Sequence, residues 1–205
     1  MGIGNLTELT EVDSAGVNVL LLGFCQEQSI RSVLTTQVIN WARGSVRECD
    51  LGRRLVRYAT HVGAPPKHVD SQLVALRDEK LTPIAKADIA ELASAVKDNN
   101  YRLFAAEGEV HLVGRGLHLH HADPFTLFAE LARSGEAGGA PANLNPSHAF
   151  YLGYELCKAL TANTLGKQYE QDEALDWGYL TRPEERHYLA TGRPPKGAAD
   201  AEAPA

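Results

Sequence analysis

Three cysteines and a single methionine in 205 residues leave little room for thiol or thioether chemistry. Cys25, Cys49 and Cys157 are too widely spaced for a CxxC pair or a zinc pattern, and an odd number closes no disulfide framework. Cys25 and Cys157 fall in apolar helical registers, where a free cysteine acts as a small buried hydrophobe. Positive charge is also scarce: 20 Lys and Arg against 26 Asp and Glu give a net charge of −6. The electrostatic footprint of a nucleic-acid binder is therefore missing. No apolar run approaches the roughly 18–20 residues of a membrane span. The longest, residues 17–25, is interrupted by Asn18 and Gly23. No basic segment precedes it as in a secretory leader. Leu6 stands where a myristoylation signal after Met1-Gly2 takes Ser or Thr. These absences predict a cytoplasmic protein that engages neither nucleic acid nor membrane.

What is present is the material of one ordinary domain or two small ones: 44% apolar and 22% charged residues. Residues 2–5 (GIGN) read as the end of a strand and "LTELTEVDS" as a polar loop, with Asp13 or Ser14 as the cap of a helix. In that helix Val17, Leu20, Leu21 and Phe24 recur at helical spacing and predict a buried stripe, widened by Val19 and Leu22. "IRSVLTTQVI" reads as a second strand. "NWARGSVRECDLGRRLVRYATHVG" reads as a loop and second helix, with Val46, Leu51, Leu55 and Tyr58 on one side. Strand, helix, strand, helix with short connections is βα repetition and predicts parallel strands. Such strands have both faces covered, so residues 1–64 need further strands to complete a sheet.

"GAPPKH" (63–68) reads as a linker. Beyond it, residues 65–190 predict a separate α+β domain. Its elements are a strand at "QLVALRD", a helix capped by Thr82 with Pro83 in its first position, and two strands turning near Glu107-Gly108. A helix opened by Asp123-Pro124 and ended by Gly135 follows, then a loop over 136–145. The last helix is opened by Asn145-Pro146 and ended by Gly166. Residues 191–205, rich in Pro, Ala and Gly, predict a disordered tail.

Two loops hold the candidate binding residues. After the first strand come Asn5, Thr7 and Glu8, where Gly2 and Gly4 would let backbone approach a ligand; a plain Gly-Asn turn is the other reading. After the second come Thr35, Thr36 and Gln37, then Arg43-Gly44-Ser45 opening a helix. A guanidinium, a hydroxyl and a helix N-terminus suit a phosphate or carboxylate. The alternative is Ser45 as N-cap beside a solvated Arg43. If both strands share a sheet, the two loops lie side by side at one rim, where barrels of the (β/α)₈ kind bind phosphate. In "HLVGRGLHLHH" (111–121), His118 and His120 face one way and His121 the other, with no acidic or thiolate partner at ligand spacing except Asp123, so no metal site is assigned. "YEQDEALDW" (169–177) reads as a solvated acidic loop.

Residues 1–60, in "MGIGNLTELTEVDSAGVNVLLLG" and "RSVLTTQVINWARGSVRE", resemble the end of a dihydropteroate-synthase-like barrel. The nearest form is that of the related proteins linked to tetrahydromethanopterin biosynthesis. The resemblance implies that residues 2–5 are the seventh strand of a TIM barrel and residues 32–38 the eighth. "SHAFYLGYELCKALTANTLGKQYEQDEALDWG" is similar to the uncharacterised domain fused to those barrels, and to the end of one component of the tetrahydromethanopterin S-methyltransferase complex. The family's Ser-Arg-Lys after strand seven is here Asn5-Leu6-Thr7, and its Arg-x-His after strand eight is Thr35-Thr36-Gln37. The lysine and Arg-x-His roles therefore do not carry over.

The expectation is a chain that begins at strand seven: a TIM-barrel remnant plus an α+β domain. The implied activity is transfer of a dihydropterin-methyl group from its pyrophosphate ester to an arylamine, with pyrophosphate bringing Mg2+ with it. Asn5, Thr7 and Glu8 would line the pterin side, Arg43 and Ser45 would meet the anion, and Thr36 and Gln37 would also touch substrate. The chain alone would be inactive and would need a barrel-completing chain or a second copy of itself. The alternative is a non-catalytic binding or assembly module of a methanopterin-pathway complex.

Overall fold

The computed structural model describes residues 1–184, and all of their side chains except that of Asn5. The predicted tail, 191–205, lies outside the described residues. The chain divides into two units, Met1–Ala75 and the residues from Leu76 onward. The boundary thus falls beyond the Pro-Pro segment, not at 64.

In the first unit, Gly2 pairs with Leu34 in a single parallel bridge, framed by Ile3 N–H donating to Leu34 O and Leu34 N–H donating to Met1 O, both at 2.9 Å. This is less strand than the sequence suggests. The backbone turns helical at once, and the expected polar loop is α1 (Gly4–Thr10). Helix α2 (Ser14–Glu27) starts after Asp13, as expected, although the Asp13 side chain makes no capping bond. A 3₁₀ turn at Asn40–Ala42 leads into α3 (Ser45–Val62), which closes on Gly63 in the left-handed region (φ 71°).

Neither α2 nor α3 buries the whole of its predicted stripe, although Leu22 and Leu51 of those stripes are buried. Leu20 is 74% exposed, and Phe24, Val46 and Tyr58 also face solvent. The buried positions are Ser14, Asn18, Leu22 and Cys25 on α2, and Ser45, Glu48, Leu51 and Gly52 on α3. Two facts make a polar interface tolerable. Apart from Asn18 Oδ1, the polar groups bond one another, as burial requires. In addition, Gly52 lets the helices approach: a Cβ there would lie 3.1 Å from Leu22 Cδ1 and 3.2 Å from Val19 Cγ2.

The second unit opens without the strand expected at "QLVALRD", which is turns and irregular backbone. There Asp78 is used as an acceptor, by Lys167 Nζ (3.1 Å) and Gln168 N (2.8 Å). Helix α4 (Lys86–Ala95) starts later than Pro83, after an extended Ala85. Then come β1 (Arg102–Ala106), β2 (Glu109–Gly114) and β3 (Leu117–His121), an antiparallel sheet in that order. The Glu107-Gly108 turn falls where the sequence puts it, and a second turn near Gly116 adds a third strand. Helix α5 (Pro124–Leu131) is capped by Asp123, which accepts from Phe125 N and Thr126 N, and it ends before the expected Gly135. Helix α6 (Pro146–Leu165) is capped by Asn145 and closes on Gly166 in the left-handed region, both as expected.

Successive strand residues alternate between faces. Leu103, Val110 and Leu112 face α5 and α6, meeting Leu127, Leu131, Leu152 and Leu156 in the main core. On the other face Ala106 and Val113 meet Ile89 of α4 in a smaller cluster. Cys157, predicted buried, is exposed on α6.

Candidate functional site

Of the sequence-predicted site residues, the bridge brings Glu8 and Thr36 together. Gly4 packs so closely on the chain at Thr36 that an added Cβ would lie 2.8 Å from Thr36 Oγ1 and 3.0 Å from Thr36 N. The Thr36 hydroxyl donates to Glu8 Oε1 at 2.7 Å, with both residues half-buried. Gln37 is exposed just beyond. Arg43 is exposed at the residue before Gly44, the N-cap of α3. The side chain of Asn5 lies outside the described residues.

Thr7 and Ser45 are placed differently. Both are fully buried. Thr7 Oγ1 donates back to Gly4 O at 2.8 Å, and the Thr7 carbonyl accepts from Trp41 Nε1 at 3.0 Å. Ser45 is neither solvent-facing nor an N-cap: its hydroxyl accepts from Asn18 Nδ2 at 3.1 Å. The same amide donates to Glu48 Oε2 at 2.8 Å, which also accepts from Ser14 Oγ at 2.5 Å. Thr7 and Ser45 thus hold the rim in place from below. Glu48, buried in the first turn of α3, sets a carboxylate against the positive end of that helix. An anion at this N-terminus would have to rely on the Arg43 guanidinium more than on the helix dipole.

On the first unit a groove of about 800 Å³ runs between the residues 30–35 and the outer face of α3. Leu22, Cys25, Val33 and Cys49 line its floor, and Arg31, Arg53 and Arg57 its walls. Of the candidate loop residues Thr35 alone lines it, because residues 33 and 35 point to the opposite side of the chain from 34 and 36. That alternation was the one available signal. Burial pushes the Cys49 thiol up, with the nearby Glu48 charge adding to the effect and Thr35 opposing it, so Cys49 is not an activated nucleophile.

In the second unit the three histidines His111, His118 and His120 share one face of the sheet, while His121 points the other way and accepts from Asp123 N at 2.8 Å. Among the described residues no group of three His, Cys, Asp or Glu side chains is arranged to hold a metal ion. The acidic loop keeps Glu170, Asp172, Glu173 and Asp176 exposed, as expected, and is strapped to α6 by tyrosines. Tyr169 Oη donates to the buried Glu155 at 2.9 Å, and Tyr151 Oη donates to Asp172 at 2.7 Å. No helix among the described residues is long and apolar enough to cross a membrane.

No family model matches the chain, and no solved structure matches it. It is similar to an uncharacterized protein of Methanocaldococcus jannaschii, 26% identical over 185 residues, covering 83% of this chain and 35% of that protein. The chain thus spans about a third of the length of the curated relative it matches.

Proposed function

We propose that the chain is the C-terminal portion of a dihydropteroate-synthase-like, pterin-binding protein of tetrahydromethanopterin or folate-type cofactor synthesis, resident in the cytoplasm. In this reading the first unit is the last two βα units of a TIM barrel. The observation that carries it is the parallel pairing of Gly2 with Leu34, which sets Glu8 and Thr36 in hydrogen-bond contact where both chain segments leave the bridge. In parallel α/β architectures that end of the strands is where ligands gather. The greater length of the archaeal relative agrees with a larger whole.

The chemistry is displacement at carbon. The arylamine nitrogen attacks the pterin methylene, the C–O bond to pyrophosphate breaks, and the amine loses its proton. The protein contributes alignment of the two reactants and charge stabilisation of the departing anion. In this reading Glu8 would meet a polar edge of a pterin and Arg43 the pyrophosphate with its Mg2+, with Thr36 and Gln37 also against substrate. A barrel-completing chain would supply the remaining walls.

Isothermal titration of the chain with Mg2+-pyrophosphate, and separately with a dihydropterin, tests the reading. Pyrophosphate binding weakened at least about tenfold in Arg43→Ala supports it; a tenfold change corresponds to about 1.4 kcal/mol, the scale of one charge-assisted contact. Binding unchanged in Arg43→Ala, or no heat from either ligand even with a barrel-bearing partner added, overturns it. The alternative, a non-catalytic assembly module, is favoured by one feature of the second unit: Phe125 and Phe150 are 84% and 77% exposed at the α5–α6 surface. Capture of a partner that is lost in Phe125→Ser/Phe150→Ser, with no ligand heat, would select it.

A further inference from the structure

His111 of β2 lies directly across from His120 of β3, with His118 one pair further along the same face. The three rings form a closed group, their centroids 5.2 to 5.6 Å apart. His111 is buried, and its Nδ1 lies 3.2 Å from His118 Nε2. Such a contact is a hydrogen bond only while one of the two nitrogens keeps its lone pair. His111 Nε2 is buried without a partner, so a proton there would have nothing to donate to. His120 Nδ1 lies 3.1 Å from Glu109 Oε2, the same oxygen that receives Lys86 Nζ from α4 at 2.9 Å. A charged His120 therefore sets a second cation beside the lysine that ties α4 to the sheet.

Helix α4 is lightly held. It has no side-chain N-cap and anchors through Ile89 on Ala106 and Val113, with Ile84, Ala93, Val96 and Phe104 around them. We propose that the His111–His118–His120 cluster is a proton-operated release for α4, which packs on the sheet when the rings are neutral and lifts from it when they are charged. The charged groups around the cluster are Lys86 from α4 and Glu109 from β2, with Glu107 of the adjoining turn 3.4 Å from Lys86. Arg102 of β1 shares the face and is paired with Asp98. The Glu109 carboxylate favours charging His111, and Lys86 acts against it. Burial, and then the neighbouring imidazoles, hold His111 below the ordinary histidine range, and burial and His120 do the same to His118.

Hydrogen–deuterium exchange of the full chain at about pH 7.5 and about pH 5, corrected for intrinsic rates, tests this. Residues 86–95 should lose at least about tenfold in protection at the lower pH while α6 keeps its own. In His118→Gln/His120→Gln that loss should shrink severalfold. Equal protection of α4 at both pH values, or the same loss in the double variant, overturns the proposal. A titration of the imidazole resonances in the unaltered chain guards against a variant that fails to fold. If His111 charges with an ordinary midpoint while α4 stays protected, the release does not exist.

Discussion

Between Gly4 and the backbone at Thr36 there is no space for a methyl group. Gly4→Ala should therefore destabilise the first unit by about 1–3 kcal/mol, the usual cost of forcing extra volume into a packed site, read as a lower urea midpoint with unchanged slope. Glu48 makes a second test. Its Oε2 accepts from both Ser14 and Asn18, so Glu48→Ala removes two buried bonds, leaving Ser14 with Trp41 O and Asn18 with Ser45, and should cost about 1–3 kcal/mol. Combined with Asn18→Ala the loss should be clearly less than the sum, because each substitution removes the same bond. In the sequence Asn18 stands out only as an interruption of an apolar run, and Glu48 not at all. An Asn and a Glu on helices read as solvent-facing, and only the approach of the two helices makes them partners. Glu8 was legible because it follows a strand end by a few residues. Its contact with Thr36 was not, since that depends on the pairing of chain segments far apart in sequence.

At the scale of elements, legibility follows how local the determinant is. Helix α6 was read to the residue because Asn145, Pro146 and Gly166 act within one turn of its ends. Asn145→Ala should cost about 1 kcal/mol through the lost bond to His148 N. Gly166→Ala should cost about 1–2 kcal/mol through its left-handed φ of 71°. Thermal melts of the two single variants and the double would show near-additive losses, the sites being at opposite ends of the helix. The periodicity of α2 and α3 gave their existence and, through Leu22 and Leu51, part of their buried faces, but not the polar centre of those faces. Leu20, Phe24 and Val46 satisfy the apolar pattern and are exposed, whereas Asn18 and Ser45 break it and are buried. A stripe reports which face is apolar, not which partner arrives. The failed strand at "QLVALRD" is the same lesson: Asp78 is committed to Lys167 and Gln168, a demand no local window contains.

For the whole molecule, the tyrosines that strap the last described segment to α6 predict an alkaline limit. Burial raises Tyr169 above the ordinary tyrosine range, and the Glu155 charge and its hydrogen bond raise it further. Burial likewise raises Tyr151. A raised native pKa means that the unfolded chain loses its protons first. The associated stability is intact below about pH 10 and is lost as pH rises above it. Unfolding followed by circular dichroism should therefore coincide with the appearance of tyrosinate absorbance. Tyr169→Phe, which keeps the ring and the Lys158–Glu155 pair, should flatten that alkaline fall while lowering stability at neutral pH.

The clamp on Asp78 also bears on how the chain is made. Asp78 lies near the start of the second unit, while Lys167 and Gln168 emerge late. The Gln168 side chain accepts from Thr82 N at 2.8 Å, and that of Gln171 accepts from Leu103 N of β1 at 2.9 Å. A nascent chain on the ribosome can pair its three strands early, yet the outer edge of β1 and the loop before α4 stay unpaired until residues 167–171 clear the exit tunnel. Until then β1 is an open edge, the kind that neighbouring chains on a polysome can capture.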